Sequence, residues 1–303
     1  MNNNFNKGIY LTALASFWWG FFGVIYFKYI SFVGHIEVVI HRSFWTTVTL
    51  LFTTFVFSKK KIFLNLFYNK KKMLVLFFSG LLIFFNWAVW IYAVSTDRVI
   101  DASFGYFVMP IISVFLGYFF FNEEITKKTK LSILIVILSI LYLLFTDFKT
   151  IPWIGLLVAI LWSLYNLVRK KIKVDTDVGL FIESLLIFPF MLFAFYLITK
   201  NNLNNFDVAD PSLMVILILA GPMTVIPLFL YVKGVELSGL GPAGMIFYIT
   251  PTFQFLLGYF IFNEPMNFEK LLSFILIWIA VFIYLKDLYE KKYFFIVIFN
   301  YHI

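Results

Sequence analysis

Apolar residues in this chain run in blocks of about 20, the length that lets a helix rising 1.5 Å per residue cross the roughly 30 Å hydrocarbon layer of a bilayer. Ten such blocks can be read, at 8–27, 38–57, 73–95, 102–121 and 131–145, then 151–168, 178–199, 213–235, 242–262 and 271–285. The fifth and tenth are the shortest, and they occupy matching places in the two halves. Polar punctuation separates the blocks, with no long Pro-, Gly- or Ser-rich linker to part soluble domains.

One stretch occurs twice. PIISVFLGYFFFNE at 110–123 returns as PTFQFLLGYFIFNE at 251–264, offset by 141 positions and identical at eight of fourteen. A repeat at nearly half the chain length, inside apolar blocks, points to a duplicated bundle. Five blocks per copy is an odd number, so the two copies enter the membrane from opposite sides. The predicted fold class is therefore an all-α membrane protein with ten transmembrane helices as two inverted five-helix repeats. The repeats fall at 1–146 and 147–290. A short apolar tail at 291–303 is too short to cross and is expected to lie at the interface or to be unstructured.

Basic residues test this topology, because cytoplasmic loops are enriched in Lys and Arg. With a cytoplasmic N-terminus and ten crossings, seventeen of the 24 fall inside, in clusters such as Lys59–Lys61, Lys70–Lys72, Lys127–Lys130 and Arg169–Lys173. Five fall outside: Lys28, Arg98, Lys149, Lys200 and Lys270. The expectation is a multi-pass protein of the cytoplasmic membrane with both termini in the cytoplasm. Ala13-Leu14-Ala15 looks like a cleavage triplet but sits within the first apolar block, which argues against a signal peptide.

Composition agrees. The chain is 62% hydrophobic and 13% charged, where soluble domains are near 45–50% and 25%. The net charge of +8 is explained by the cytoplasmic clusters, so nucleic acid is not an expected partner. The absence of Cys removes disulfides, thiolate catalysis and Cys-ligated metal sites. His35, His41 and His302 lack metal-ligand spacing, and no nucleotide-binding or hydrolase motif is present. No metal, cofactor or catalytic residue is expected.

Candidate chemistry lies in polar residues at membrane depth, which cost about 2.5–3.5 kcal/mol each at the centre of a span. Glu37 and His41 share a face of the second block, with Arg42 beside them. They read either as a patch lining the outer half of a cavity or as an arginine reaching the interface and pairing with Glu37. Glu183, the repeat mate of Arg42 by the 141 offset, reads either as a substrate or proton site or as a partner of the Arg169–Lys173 cluster. Asn86 and Trp87 sit deep in the third block, where Asn needs a partner within the protein. Tyr106 and Tyr248 are cavity or belt residues, and Trp18, Trp19 and Trp162 read as belt residues. Pro110 and Pro251 are repeat mates and candidate hinges. Gly20, Gly23 and the 239–244 glycines fit close helix packing.

Several segments together resemble the EamA-type drug/metabolite transporters, and within them the RarD family. They are Gly20 with its preceding Trp pair, His41-Arg42, Asn86-Trp87, Asp101 to Phe107 leading to Pro110, and Gly117 to Glu123. Val168 to Ile172, Ile182-Glu183 and Tyr248 to Thr252 complete the set. The resemblance implies ten helices in two inverted halves, a central cavity, and ATP-independent transport by alternating access. Met109 and Phe247 stand where the family often has Asn and Gln, which implies a less polar cavity. The expected function is a permease for a small metabolite, such as an amino acid or amphipathic compound, with the bilayer and a coupling proton or other ion as further partners. An intramembrane enzyme, such as a lipid head-group transferase, and a non-transporting scaffold are the alternatives. Convergence of Arg42, Asn86 and Glu183 on one cavity would separate them.

Overall fold

Apolar blocks separated by polar punctuation fold as long helices because a helix satisfies its own backbone groups. The computed structural model describes residues 3–96, 98–146, 153–207, 210–262 and 267–300, and every regular element among them is helical. The first rod is α1 (Asn3–Trp18), a π-helical turn (Trp19–Gly23) and α2 (Val24–Tyr29). Then come α3 (His35–Val56), the short α4 (Lys60–Phe67), α5 (Lys70–Ser95), α6 (Val99–Phe121) and α7 (Lys127–Thr146). The second half holds α8 (Trp153–Ile172), α9 (Thr176–Lys200), α10 (Pro211–Ser238), a broken rod of α11 (Leu240–Ile246) and α12 (Ile249–Phe260), and α13 (Phe268–Asn300).

Among the described residues, seven helices are long and apolar enough to cross a membrane by length and composition, and Gly105–Phe121 is a shorter apolar one. The seven are Asn4–Tyr29, Lys70–Ser95, Lys127–Thr146, Trp153–Ile172, Thr176–Lys200, Pro211–Ser238 and Leu240–Phe260. The helix His35–Val56 has 22 residues but carries Glu37, His41 and Arg42, which lower its hydropathy. Large apolar side chains cover the outside, among them Phe52, Phe119 and Phe282 at 67–70% exposure. In water such a surface would associate; in lipid it is solvated.

Three features depart from the sequence reading. The stretch between the second and third blocks contains the helix α4, which packs Phe63 on Phe181 and buries Leu66 against Leu76, Val178 and Ile182. The tail expected from 291 instead continues α13 to Asn300. The ninth block is not one rod: it breaks at Phe247–Tyr248, just before Pro251. The second copy's Asn263-Glu264 and the boundary at 147–152 lie outside the described residues.

The helices pack α1 on α10, α5 on α8, α6 on α8 and α11, α3 on α9 and α10, and α7 on α13. Backbones approach closely at glycines. A Cβ on Gly20 would meet the Thr250 carbonyl oxygen at 2.8 Å, and one on Gly244 would meet Ser113 Cβ at 2.7 Å.

The lysine clusters gather at one end of the bundle. Lys59 binds Asp175 at 3.1 Å and also Asp177, joining the loops before α4 and before α9. Bonds to Asp177 and Asp175 outweigh burial and raise the Lys59 amine above its ordinary value. Burial would raise the Asp175 carboxyl, but its bonds to Asp177, Lys59 and the Val178 amide hold it below its ordinary value. Thr126 donates to Asp287 at 2.5 Å, and Thr176 donates to Glu236 at 2.9 Å, at the same end. At the opposite end, Glu37 accepts from the backbone and side-chain amides of Asn205, both at 2.7 Å.

Candidate functional site

A narrow central cavity of about 30 Å³ lies between helices of both halves. The first half contributes Trp19, Gly23, Phe27, Arg42, Asn86, Trp87, Trp90 and Tyr106; the second contributes Trp162, Phe247 and Gln254. The π-helical turn places Trp19 and Gly23 on this wall, a distortion that recurs at functional sites. Tyr106 and Phe247 are mates by the same 141 offset as the repeated motif, and their rings meet at 5.5 Å.

Among the described residues, Arg42 is the charge that lines this cavity. It is only 4% exposed, so it does not reach out to the interface, and it does not pair with Glu37. Its Nε donates to Thr224 Oγ1 at 3.1 Å. Its guanidinium carbon lies 4.6 Å from the Phe27 ring centre, 4.7 Å from that of Trp87 and 5.8 Å from that of Trp90. Aromatic faces attract a cation through their quadrupole, which makes a desolvated arginine tolerable here. Its Nη1 has no hydrogen-bond partner within the protein. Asn86 donates from Nδ2 to the Val158 carbonyl at 3.0 Å, tying α5 to α8 at the cavity wall. The amide oxygen of Gln254 is buried and without a protein partner.

The floor is aromatic. Trp19 and Trp162 meet at 5.1 Å, Trp162 and Tyr231 at 5.4 Å, and Tyr231 and Phe247 at 5.3 Å. Trp19 and Trp162 are thus cavity and floor residues, not belt residues; Trp162 is 4% exposed. Toward the lysine-rich end lies a second, buried layer. Tyr165 donates to Glu183 Oε2 at 3.3 Å, and Arg169 Nη1 stands 3.5 Å from Glu183 Oε1.

Arg42, Asn86, Trp87 and Tyr106 therefore converge, while His41, Glu183 and Tyr248 do not line the central cavity. Successive helical residues point about 100° apart, so His41 turns away from Arg42. Its Nδ1 accepts from Trp45 at 3.3 Å, its Nε2 faces Glu37 at 3.4 Å, and its ring packs on Phe206. Glu183 pairs with Arg169 and lines a smaller cavity beside Gly80 and Trp87. The Tyr248 hydroxyl donates to the Phe107 carbonyl at 2.9 Å. Pro110 lies within the continuous α6, whereas Pro251 follows the break between α11 and α12. Without an N–H, Pro251 leaves the Phe247 carbonyl to accept from Thr250 at 2.8 Å.

The repeated Asn-Glu acquires a structural role in its first copy. Asn122 ends α6 in the left-handed conformation, and Glu123 turns back across the bundle. Its carboxylate accepts from the Leu240 and Gly241 amides, both at 2.8 Å, and from Lys170 at 2.5 Å. It ties the end of α6 to the start of α11 and the end of α8. Gly239, at φ +104°, has no room for a side chain here, since a Cβ would stand 2.7 Å from the carboxylate. Phe27, Thr224 and Gln254 carry no sequence signal that marks them for this cavity, whereas Phe247 is marked by its offset from Tyr106.

Comparison with known proteins agrees with this architecture. The EamA-like transporter family matches residues 6–145 and again 149–286. The uncharacterized transporter YojE of Bacillus subtilis (strain 168) is 30% identical over 281 residues, covering 92% of this chain and 93% of its own. Protein RarD of Escherichia coli (strain K12) is 30% identical over 281 residues, covering 93% and 94%. The chloramphenicol-sensitive protein RarD of Pseudomonas aeruginosa is 23% identical over 251 residues, covering 81% and 83%. With both halves matched and two relatives 30% identical along nearly its whole length, this chain belongs to the EamA-like transporter family, among the RarD permeases.

Proposed function

We propose that the protein is a secondary active transporter that moves a small metabolite across the cytoplasmic membrane by alternating access. Ten spans in two inverted five-helix halves would rock about the Arg42 cavity. The observation that carries this reading is a cavity lined by the buried Arg42, walled by both halves and floored by aromatic rings. A scaffold needs no such hollow, and among the described residues no carboxylate or histidine lines it to serve an intramembrane enzyme.

Helix pairing supports the inverted halves. Under the repeat, α1 on α10 corresponds to α8 on α5, while α3 on α9, α6 on α11 and α7 on α13 are each their own mates. That is the pattern a two-fold relation between halves requires. The gathering of Lys59, Lys128 and Lys170 at one end supports a cytoplasmic location for that end and for both termini. The test is uptake into proteoliposomes across a metabolite panel, with and without a pH gradient. Arg42-dependent uptake of at least one solute is expected. Absence of movement for every solute, while the protein remains folded, would refute the reading.

A further inference from the structure

We propose that the cavity selects a small organic monocarboxylate with a flat apolar body, held by Arg42 between the rings of Phe27, Trp87 and Trp90. This rests on the transport reading for its purpose, but its argument concerns binding alone. Arginine stays protonated in proteins, and a charge taken into a low-dielectric site needs a counter-charge or a full set of acceptors. Among the described residues, Arg42 has neither. Thr224 takes its Nε, three rings flank it, and Nη1 has no partner although the side chain is 4% exposed.

A bound carboxylate supplies what is missing, since its two oxygens match the planar guanidinium edge. The rings set the rest of the ligand. Trp87 and Trp90 from α5, with Tyr106 and Phe247 across the repeat, give two aromatic walls that stand close around a cavity of about 30 Å³ and that must part to admit the ligand, which favours a flat apolar body. A phosphate dianion fits less well, because it wants several donors and one of the two Asn86 amide hydrogens is already bonded to the Val158 carbonyl. An organic cation fits worst, since it would meet Arg42 with no carboxylate among the described cavity residues to offset the repulsion. The unpartnered Gln254 oxygen admits one hydrogen-bond donor on the ligand, such as a hydroxyl or an ammonium beside the carboxylate.

The test uses matched probes on the unmodified full chain in lipid nanodiscs: 3-phenylpropionate, phenylalanine, 3-phenylpropanol and 2-phenylethylamine. Quenching of the cavity tryptophans reports binding, with calorimetry as a check. The two carboxylates are expected to bind at least about tenfold more tightly than the alcohol, as for a hydrogen bond to a charged group, with the amine weakest. Arg42→Gln should bring the carboxylates down to the alcohol, and Arg42→Lys should restore part of the difference. Equal or tighter binding of the amine, no binding by any probe, or an unchanged carboxylate preference in a folded Arg42→Gln protein would overturn the inference. The outcomes separate from the transport reading. Arg42-dependent carboxylate binding without movement across proteoliposomes would leave this site standing and refute transport. Movement without carboxylate preference would do the reverse.

Discussion

If the halves alternate, the contacts that close the lysine-rich end must break in each cycle, and Glu123 is the most concentrated of them. Its carboxylate holds two backbone amides at 2.8 Å and the Lys170 amine at 2.5 Å. Hydrogen bonds to a charged group contribute about 1.5–3 kcal/mol each, so three give a gross of about 4.5–9 kcal/mol. The Lys170 and Glu123 side chains are 15% and 20% exposed and border a cavity of about 420 Å³, where water replaces much of what is lost. A third of the gross, about 1.5–3 kcal/mol, is the expected net effect of Glu123→Ala. At about 1.4 kcal/mol per tenfold, that shifts a closed-to-open equilibrium by about 12- to 140-fold. Ser113 reports it well, being 1% exposed and packed on Gly244 behind the contact. The chain has no cysteine, so Ser113→Cys gives a single label site. Thiol labelling from the lysine-rich side should accelerate by that factor in Glu123→Ala, and less in Lys170→Gln, which removes one bond of three. Labelling within twofold of the parent, in a protein that still folds, would refute the latch.

Other outcomes follow from the same contacts. Glu183→Ala leaves Arg169 buried without its partner and should destabilise the protein by about 3–5 kcal/mol in thermal unfolding, whereas pairing Arg169→Met with Glu183→Leu should recover most of the loss. If Glu183 is structural, a folded Glu183→Gln protein will keep its dependence on the pH gradient; loss of that dependence would return Glu183 to coupling. Glu37→Ala should speed amide exchange over 201–207 at the opposite end and leave exchange at the lysine-rich end unchanged. Because the Asp175 carboxyl is held low, its contribution is present above its unfolded value near 3.8 and is lost as pH falls through the lower folded value. Asp175→Asn should therefore flatten the acid side of the stability profile between about pH 5 and 3.

That the chain is built of long apolar helices was legible in the sequence, because block length and hydropathy report it directly. The repeat was legible too, and its offset marks Tyr106 and Phe247 as mates that meet at the cavity. Rotation about each helix axis was not. A membrane helix is apolar on most sides, so periodicity says little about which face meets protein. That is why His41 was grouped with Arg42, although the two point apart, and why Trp162 read as a belt residue when it forms the floor. Glu183 faces Arg169 at the end of the preceding helix, a contact that one of its two readings included through the Arg169–Lys173 cluster but that a helix pattern could not assign to a single residue. The π-helical turn at Trp19–Gly23 had no sequence signal beyond its glycines. Glu123 was visible as a conserved end of the repeated motif within the chain, but its partners Leu240 and Gly241 lie more than a hundred residues away.

The central claim is that two related bundles sit head to foot around one cavity, and single-cysteine labelling in sealed vesicles tests it most directly. Cysteines at Lys60, Lys173 and Lys200 place three loops on sides of the membrane with no background thiol to remove. The account predicts that positions 60 and 173 label from the cytoplasmic side and position 200 from the other. Opposite sides for 60 and 173 would contradict it.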